Sequence, residues 1–343
     1  MKSPTVESGE ANLAADVLRQ RVVWSLIFAV LIVAAIAFSL DQMRLVVIHS
    51  PAEDDSDITA FNRGLLAGLD PHARISLRSL RITSRDADPR NFCESVHYAL
   101  QSMKPSLLVA VGGKAQTCLL NASSAKNVPS LLAEGSSRSG TPAPNGNLGF
   151  VAHELPADTW SQALQSQLTP GKPYRVLFLA ADSAAGRAEQ QQFAALAIPG
   201  ATISTSLVKS WPQWRGMVEQ AAGKFDLLII SRQNALENLP AHLQASSAGP
   251  KGVVALTRAL FGDNIAATEV ESVIDGATWA IEPEPYSLGI RAASAGTALL
   301  NGKPDSALPP QTILISLRSH ADPQHPPLPA LFEVVARNQG LLH

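Results

Sequence analysis

Cysteine is scarce in this chain, and the scarcity removes several readings at once. Only Cys93 and Cys118 occur in 343 residues, so a disulfide-stapled miniprotein and a cysteine-built zinc site are both excluded. Aromatics make up 5% of the chain. Neither sign of charge dominates, with 27 Lys plus Arg against 29 Asp plus Glu. Without excess positive charge there is no field to hold a nucleic-acid backbone. Catalytic signatures are missing too: there is no Gly-x-Ser-x-Gly elbow, no His-Glu-x-x-His and no Cys/His nucleophile pattern. Gly113-Lys114 is not a phosphate loop, because Ala115 follows the lysine and Leu108 stands where the first glycine is needed. His320 and His325 lie in a Pro-rich segment, and the other histidines lack ligand spacing. Glu282 and Glu284 flank Pro283 in one segment, where they cannot face each other across a glycosidase cleft. The sequence therefore argues against an enzyme and implies no cofactor and no metal.

What it does contain is an uncharged apolar run, Val22–Leu40 (VVWSLIFAVLIVAAIAFSL). As a helix this run would rise roughly 28 Å, close to the hydrocarbon thickness of a bilayer. Ala35-Ile36-Ala37 matches the small-x-small pattern of a signal-peptidase site. The preceding segment, however, is long and carries Glu7, Glu10 and Asp16, unlike a short basic secretory n-region. The run is therefore read as an uncleaved transmembrane helix. Arg19 and Arg21 on its N-terminal side and Asp41 after it place residues 1–21 in the cytoplasm and the rest outside, as a single-pass protein of a bacterial inner membrane facing the periplasm.

The remaining residues, about 300, suit two domains. Residues 41–150 alternate strands and helices. Strands are expected at Arg44–Ser50, Ile75–Ile82, Ser106–Val111 and Val128–Ala133. Helices are expected around Ile58–Leu69, through Phe92, Val96 and Leu100, and over Lys114–Ala122. The acidic run Glu53-Asp54-Asp55-Ser56-Asp57 is read as complementing the dipole of the first of these helices. Glu134–Gly149 reads as a long Ser/Gly/Pro-rich loop. The pattern restarts over 151–282. There, strands are expected at Tyr174–Ala180, Thr202–Val208, Phe225–Ser231 and Gly252–Leu256. Helices are expected at Asp158–Leu168, Ala184–Leu196, Trp211–Ala222 and Asn234–Gln244. Residues 283–343 supply a crossover, a helix over Ile290–Leu300, a strand at Thr312–Leu317 and a last helix from about Leu328 to Asn338. This predicts an α/β protein of two Rossmann-like lobes with parallel sheets behind one N-terminal transmembrane helix. Cys93 and Cys118 fall on neighbouring helices of the first lobe; a disulfide and a pair of buried free thiols both fit.

In open parallel sheets, ligands bind outside the carboxyl ends of the strands. That rule selects Ser50 and Gly112-Gly113-Lys114 in the first lobe, and Asp182-Ser183 and Arg232-Gln233-Asn234 in the second. Glycines permit close backbone approach, a helix N-terminus favours an anion, and Lys114 or Arg232 would pair with a carboxylate. Tyr286 near the crossover would stack on a ligand.

Several short patterns resemble type I periplasmic binding proteins, and more narrowly the ABC transporter substrate-binding proteins related to tryptophan/tyrosine uptake components. They are Ser50 with Phe61, Gly64, Leu65 and Gly68; Ser106–Val111 followed by Gly112-Gly113-Lys114-Ala115-Gln116; Val128-Pro129-Ser130-Leu131-Leu132; and Tyr286-Ser287-Leu288-Gly289 with Ala292-Ala293 and Leu299-Leu300-Asn301-Gly302-Lys303-Pro304. The resemblance covers about Arg44 to Leu317. Gly113-Lys114 replaces the family's small turn residues, and the section after Leu317 departs from its ending. The resemblance implies capture of a small organic ligand between lobes and delivery to an ABC permease. The alternative is a structural or accessory subunit of a larger inner-membrane complex that leaves the cleft unused.

Overall fold

The computed structural model describes residues 20–21, 23–33, 43–50, 55–70, 74–81, 89–121, 127–133, 147–151, 155–240, 243, 252–303, 307–318 and 328–343. The helix α1 covers residues 23–33, and its apolar side chains are exposed, Trp24 by 63% and Phe28 by 66%. Among the described residues no helix is long and apolar enough to cross a membrane. Residues 1–19 and 34–42, which hold the expected tail and the second half of the apolar run, lie outside the described set.

The first lobe is built on a sheet of order β2-β1-β3-β4-β5, all parallel. Its strands are β1 (Met43–His49), β2 (Ile75–Arg81), β3 (Leu107–Val111), β4 (Ser130–Ala133) and β5 (Leu148–Val151). β1 and β3 are apolar without alternation because both of their faces are covered. Leu45 and Val47 point to one face, where Phe61 and Leu65 of α2 (Asp55–Gly68) meet them. Val46 and Ile48 point to the other, against Val96 and Leu100 of α3 (Pro89–Met103) and Ala115 and Leu119 of α4 (Gly113–Asn121). α3 and α4 are joined by the disulfide Cys93–Cys118, with Cα atoms 5.0 Å apart. Closing that 25-residue separation restricts the unfolded chain by about 3 kcal/mol in the loop-entropy model. Asp55 and Asp57 occupy the first turn of α2, where carboxylates complement the helix dipole.

The second lobe carries a sheet of order β11-β10-β9-β8-β6-β7. Its strands are β6 (Tyr174–Ala181), β7 (Ala201–Val208), β8 (Leu227–Ser231), β9 (Ile265–Ala267), β10 (Trp279–Pro283) and β11 (Ile313–Leu317). β11 runs antiparallel to β10 and the other pairs are parallel. One face packs on Trp160 of α5 (Ala157–Ser166) and Phe193 of α6 (Ala184–Ala195). Trp160 meets Phe193 edge-on at 5.0 Å, and Phe193 stacks on Phe178 at 4.5 Å. The opposite face packs on Trp214 and Val218 of α7 (Trp211–Ala221) and on Val253 and Val254 of α8 (Val253–Phe261). The short helix α9 (Glu271–Asp275) precedes β10. The last helix, α11 (Ala330–Asn338), buries Phe332 and Ala336 against this lobe. Leu342 then bridges Leu317 beyond it.

The chain passes between lobes after β5, after β10 and again before β11. The middle element, α10 (Pro285–Leu300), leaves a second-lobe strand and covers the first-lobe sheet, where Leu288, Ala292 and Leu299 join the core of β1 and β3. Glycines let it lie against α2. A Cβ on Gly64 would run into the Tyr286 carbonyl, one on Gly289 into the Phe61 carbonyl, and one on Gly68 would stand 2.8 Å from the Ala293 Cβ.

Four expectations need correction. Gly252–Leu256 is not a strand: Val253–Phe261 is helical, and Val253, Val254 and Thr257 are its buried stripe. The strand that takes that place in the sheet is the three-residue β9. A helix does not begin at Asn234; Gln233–Ala235 form one 3-10 turn, and Leu236 is extended. Residues 241–242 and 244–250 lie outside the described set. Leu148 and Gly149, expected in a loop, pair with Ser130 and Leu131; the remaining loop residues 134–146 lie outside the described set. Finally, the helix expected from Ile290 starts at Pro285, where proline is suited to a first turn.

Candidate functional site

The carboxyl ends of β1 and β3 meet at Ser50, just past His49. Ser50 donates its backbone N–H to the Val111 carbonyl at 3.0 Å, and its hydroxyl accepts the Ala115 N–H at 3.1 Å. The side chain picked as a ligand contact is thus 6% exposed and serves as a cap for α4, donated from another strand. Gly112 turns the chain with φ of 78°, and Gly113 opens α4. The backbone of Lys114 lies in α4, and its side chain lies outside the described set. Gln116 reaches across to donate to the Ala133 carbonyl at 2.6 Å, tying α4 to the end of β4.

In the second lobe, Asp182 follows β6, and its carboxylate pairs with Arg187 of α6. Ser183 accepts the Gly186 N–H at 3.0 Å as the cap of α6. Arg232 follows β8 in a left-handed conformation, with φ of 54°. Its guanidinium does not face outward: Nε and Nη2 each lie 2.9 Å from Glu189 Oε1, and Nη1 lies 3.9 Å from Glu269 Oε1. Glu189, on α6, is 1% exposed. Its other oxygen accepts the Ser231 hydroxyl, which in turn accepts from Thr268 Oγ1 at 2.8 Å. The charge of Arg232 is therefore balanced inside its own lobe, by Glu189 and, at longer range, by Glu269. Gln233 donates to Ser272 Oγ at 3.0 Å. The side chain of Asn234 lies outside the described set. Tyr286 sits in the first turn of α10, with its carbonyl against Gly64 of the first lobe.

Residues that sequence reasoning missed dominate this end of the sheet. Glu189 lies inside a polar stretch, AEQQQF, with nothing to mark it as buried. Thr268 and Glu269 follow β9, whose three residues were too short to read as a strand. Burial chiefly raises the Glu269 pKa, opposed by Arg232 and reinforced by Glu189. Glu282, at the end of β10, accepts the Val270 N–H at 2.8 Å. Its pKa stands well above the ordinary value of 4.5, first from burial, then from the charge of Asp57 on the first lobe. Asp57 and Glu282 feel each other across the lobe junction, so that junction lies at the same end of the second sheet as the polar network. Among the described residues no three His, Cys, Asp or Glu side chains are grouped to hold a metal ion. An open groove of about 710 Å³ beside the disulfide, lined by Glu94, His97, Tyr98, Gln101 and Asn121, involves the last turn of α4 rather than the strand ends.

No protein-family model matches the chain, and no curated protein matches it. Solved structures do. A conserved domain protein of Vibrio cholerae is 14% identical, with a TM-score of 0.59 over 85% of this chain and 97% of that one. An ABC domain from Streptococcus pneumoniae, in complex with L-Trp, is 16% identical with a TM-score of 0.53, covering 87% and 95% of the two chains. An ABC transporter solute binding protein from Agrobacterium vitis, bound with alpha-D-tagatopyranose, is 16% identical with a TM-score of 0.51, covering 86% and 98%. At these identities the likeness establishes the fold: two lobes of the type I periplasmic-binding-protein kind.

Proposed function

We propose that this chain is a non-enzymatic solute-binding protein of ABC-transporter type, tethered to a bacterial inner membrane through Val22–Leu40 with its lobes in the periplasm. One observation carries the binding reading. The carboxyl ends of β8 and β9 hold a buried, hydrogen-bonded network of Glu189, Ser231, Arg232 and Thr268, beside a junction where Asp57 of the other lobe acts on Glu282. Burying polar groups is costly unless they are paired, and here they are paired at the strand ends, the end of an open parallel sheet where ligands bind. A small organic ligand would sit between the lobes, and closure about the crossovers would follow its higher affinity for the closed state. Small-molecule ligands named in the two relatives above, a tryptophan and a sugar, make this class of ligand the first to try.

The tether reading is supported by the exposed apolar face of α1 and by the flanking charges of the sequence. A specific observation favours a second reading. Leu331 and Val334, one helical turn apart on α11, are 65% and 54% exposed, so the section after Leu317 presents an apolar strip suited to a subunit of a larger complex. A permease or another membrane protein would then be the partner in either case.

Thermal melting of the full chain in detergent, against amino acids, sugars, amines and carboxylates, separates the two readings. A ligand that binds only the native state raises the melting temperature, by about 2.7 kcal/mol of stabilisation at a hundredfold excess over Kd. At least one solute should do so. No shift across the panel, with a stoichiometric membrane protein co-purifying, would leave the subunit reading standing instead.

A further inference from the structure

The second-lobe sheet has two outer edges, and the chain treats them differently. The segment after α11 caps β11. Gln339 accepts the Ile315 N–H through Oε1 at 3.0 Å and donates through Nε2 to the Ile313 carbonyl at 2.9 Å. The Leu317 N–H donates to the Leu341 carbonyl, and the Leu317 carbonyl accepts the His343 N–H at 2.8 Å. The other edge, β7, pairs only with β6. The Gly200 and Val208 carbonyls accept the Tyr174 and Asp182 N–H groups, so the even-numbered residues of β7 face β6 and the odd-numbered ones face outward. Both ends of that outward side are closed. Ala201 donates to the Ile198 carbonyl, Lys209 donates to Gln213 Oε1 at 2.9 Å, and the Lys209 carbonyl accepts the Glu237 N–H. Between them, the outward N–H and C=O groups of Ile203, Thr205 and Leu207 have no backbone partner among the described residues. An open edge is a template for another strand, and proteins usually guard one with charge, proline or shortness. β2 carries the exposed Arg78 and Arg81, and β5 has four residues. β7 has eight residues, ATISTSLV, with neither charge nor proline.

We propose that β7 is the surface on which two copies of this chain pair, antiparallel about a two-fold axis at Thr205. The strand is complementary to itself in that register. Thr205 faces Thr205 of the second copy, Ile203 faces Leu207 and Leu207 faces Ile203, and each facing pair exchanges both of its backbone hydrogen bonds. These are the residues whose outward groups stay open, and the closed ends lie on either side of them. On one sheet face Ile203 meets Leu207 beside the apolar cluster of Phe178 and Phe193, against which both already pack. On the other face Ser204 meets Ser206. No like charges oppose each other, because Lys209 lies beyond the ladder. The symmetry of the open stretch is what selects a second copy over an unrelated strand.

The test is the oligomeric state of the full chain in detergent, by light scattering across a dilution series, with cysteine cross-linking to locate the contact. Facing residues of a hydrogen-bonded pair stand about 5.5 Å apart at Cα, within reach of a disulfide. The parent should be a dimer, and Thr205→Cys should give a disulfide-linked dimer on a non-reducing gel. Thr202→Cys, which faces Val208 across the axis, should not. Thr205→Pro removes an outward N–H that β6 does not use, and the two-fold doubles the loss, so association should weaken about tenfold or more. Thr205→Lys sets two like charges opposite each other and should weaken it as well, and it serves if the proline variant folds poorly. The melting of the dissociated chain should match the parent in the variant used. A monomeric parent, or a dimer that ignores both substitutions, would overturn the inference. So would a dimer whose Thr205→Cys variant does not cross-link, which would move the contact elsewhere, to α1 or α11. A monomeric parent that loses a stoichiometric membrane protein on Thr205→Pro would also overturn it and assign the edge to that protein. None of these outcomes alters the reading of solute capture, which rests on the strand ends and not on this edge.

Discussion

Replacing Arg232 with methionine is the sharpest perturbation of the second lobe. The guanidinium is 22% exposed and its partner Glu189 is 2% exposed. Methionine fills much of the same volume but leaves Glu189 and Glu269 as buried carboxylates without a counter-ion. Removing one partner of such a pair costs about 3–5 kcal/mol. A domain of 150–250 residues loses roughly 2–4 °C per kcal/mol, so melting of this lobe should fall by about 6–20 °C. The loss should shrink at low pH, where the stranded carboxylates take up protons and become neutral. The double variant with Glu189→Gln should recover most of the stability, because it deletes the partner's charge as well. Circular dichroism melts at pH 5 and pH 8 read all of this. A loss below about 1 kcal/mol at pH 8 would refute the internal ion pair and restore Arg232 as a free cation waiting for an anionic ligand.

Other consequences follow from the same geometry. The raised Glu282 pKa means the folded state holds that proton more tightly than the unfolded chain, whose value lies near 4.5. This stabilising contribution is complete below about pH 4.5 and is lost as pH rises through the elevated folded value. Glu282→Gln should therefore gain stability relative to the parent across that window and then stay level, as urea titrations at several pH values would record; equal pH profiles would contradict the assignment. Gly64→Ala should cost about 1–3 kcal/mol or more by forcing α2 away from the Tyr286 carbonyl, and a melt that matches the parent would show that α10 does not lie so close. Reducing Cys93–Cys118 should cost about 3 kcal/mol, measured by urea unfolding with and without a phosphine reductant. No change would mean the bridge does not restrict the unfolded chain.

Much of the first lobe was legible because its strands are long, doubly buried and evenly spaced. Leu45–Ile48 and Leu107–Val111 are continuous apolar runs, and the helices between them keep a 3.6-residue stripe. The second lobe misled where local pattern and tertiary role part. Val253 and Val254 favour a strand by propensity, yet they belong to a helix whose buried stripe extends to Thr257. Ile265–Ala267 is too short to signal a strand, and losing it hid Thr268 and Glu269, which sit at its carboxyl end. Ser50, Gly112 and Arg232, which the strand-end rule selected, do stand directly after β1, β3 and β8. The rule did not reveal that Ser50 caps α4 or that Arg232 turns inward, since both depend on partners distant in sequence: Ala115 for Ser50, and Glu189 and Glu269 for Arg232. The apolar run near the N-terminus is described only in part: α1, residues 23–33, exposes its apolar side chains, and among the described residues no helix is long and apolar enough to cross a membrane.

Hydrogen–deuterium exchange on the full chain, with and without a solute that raises its melting temperature, tests the central claim most directly. A ligand held between the lobes must protect both strand-end regions together: residues 50 and 112–116 in the first lobe, and 231–236 and 268–272 in the second. Protection confined to one lobe, or seen only away from these segments, would contradict binding at the lobe junction.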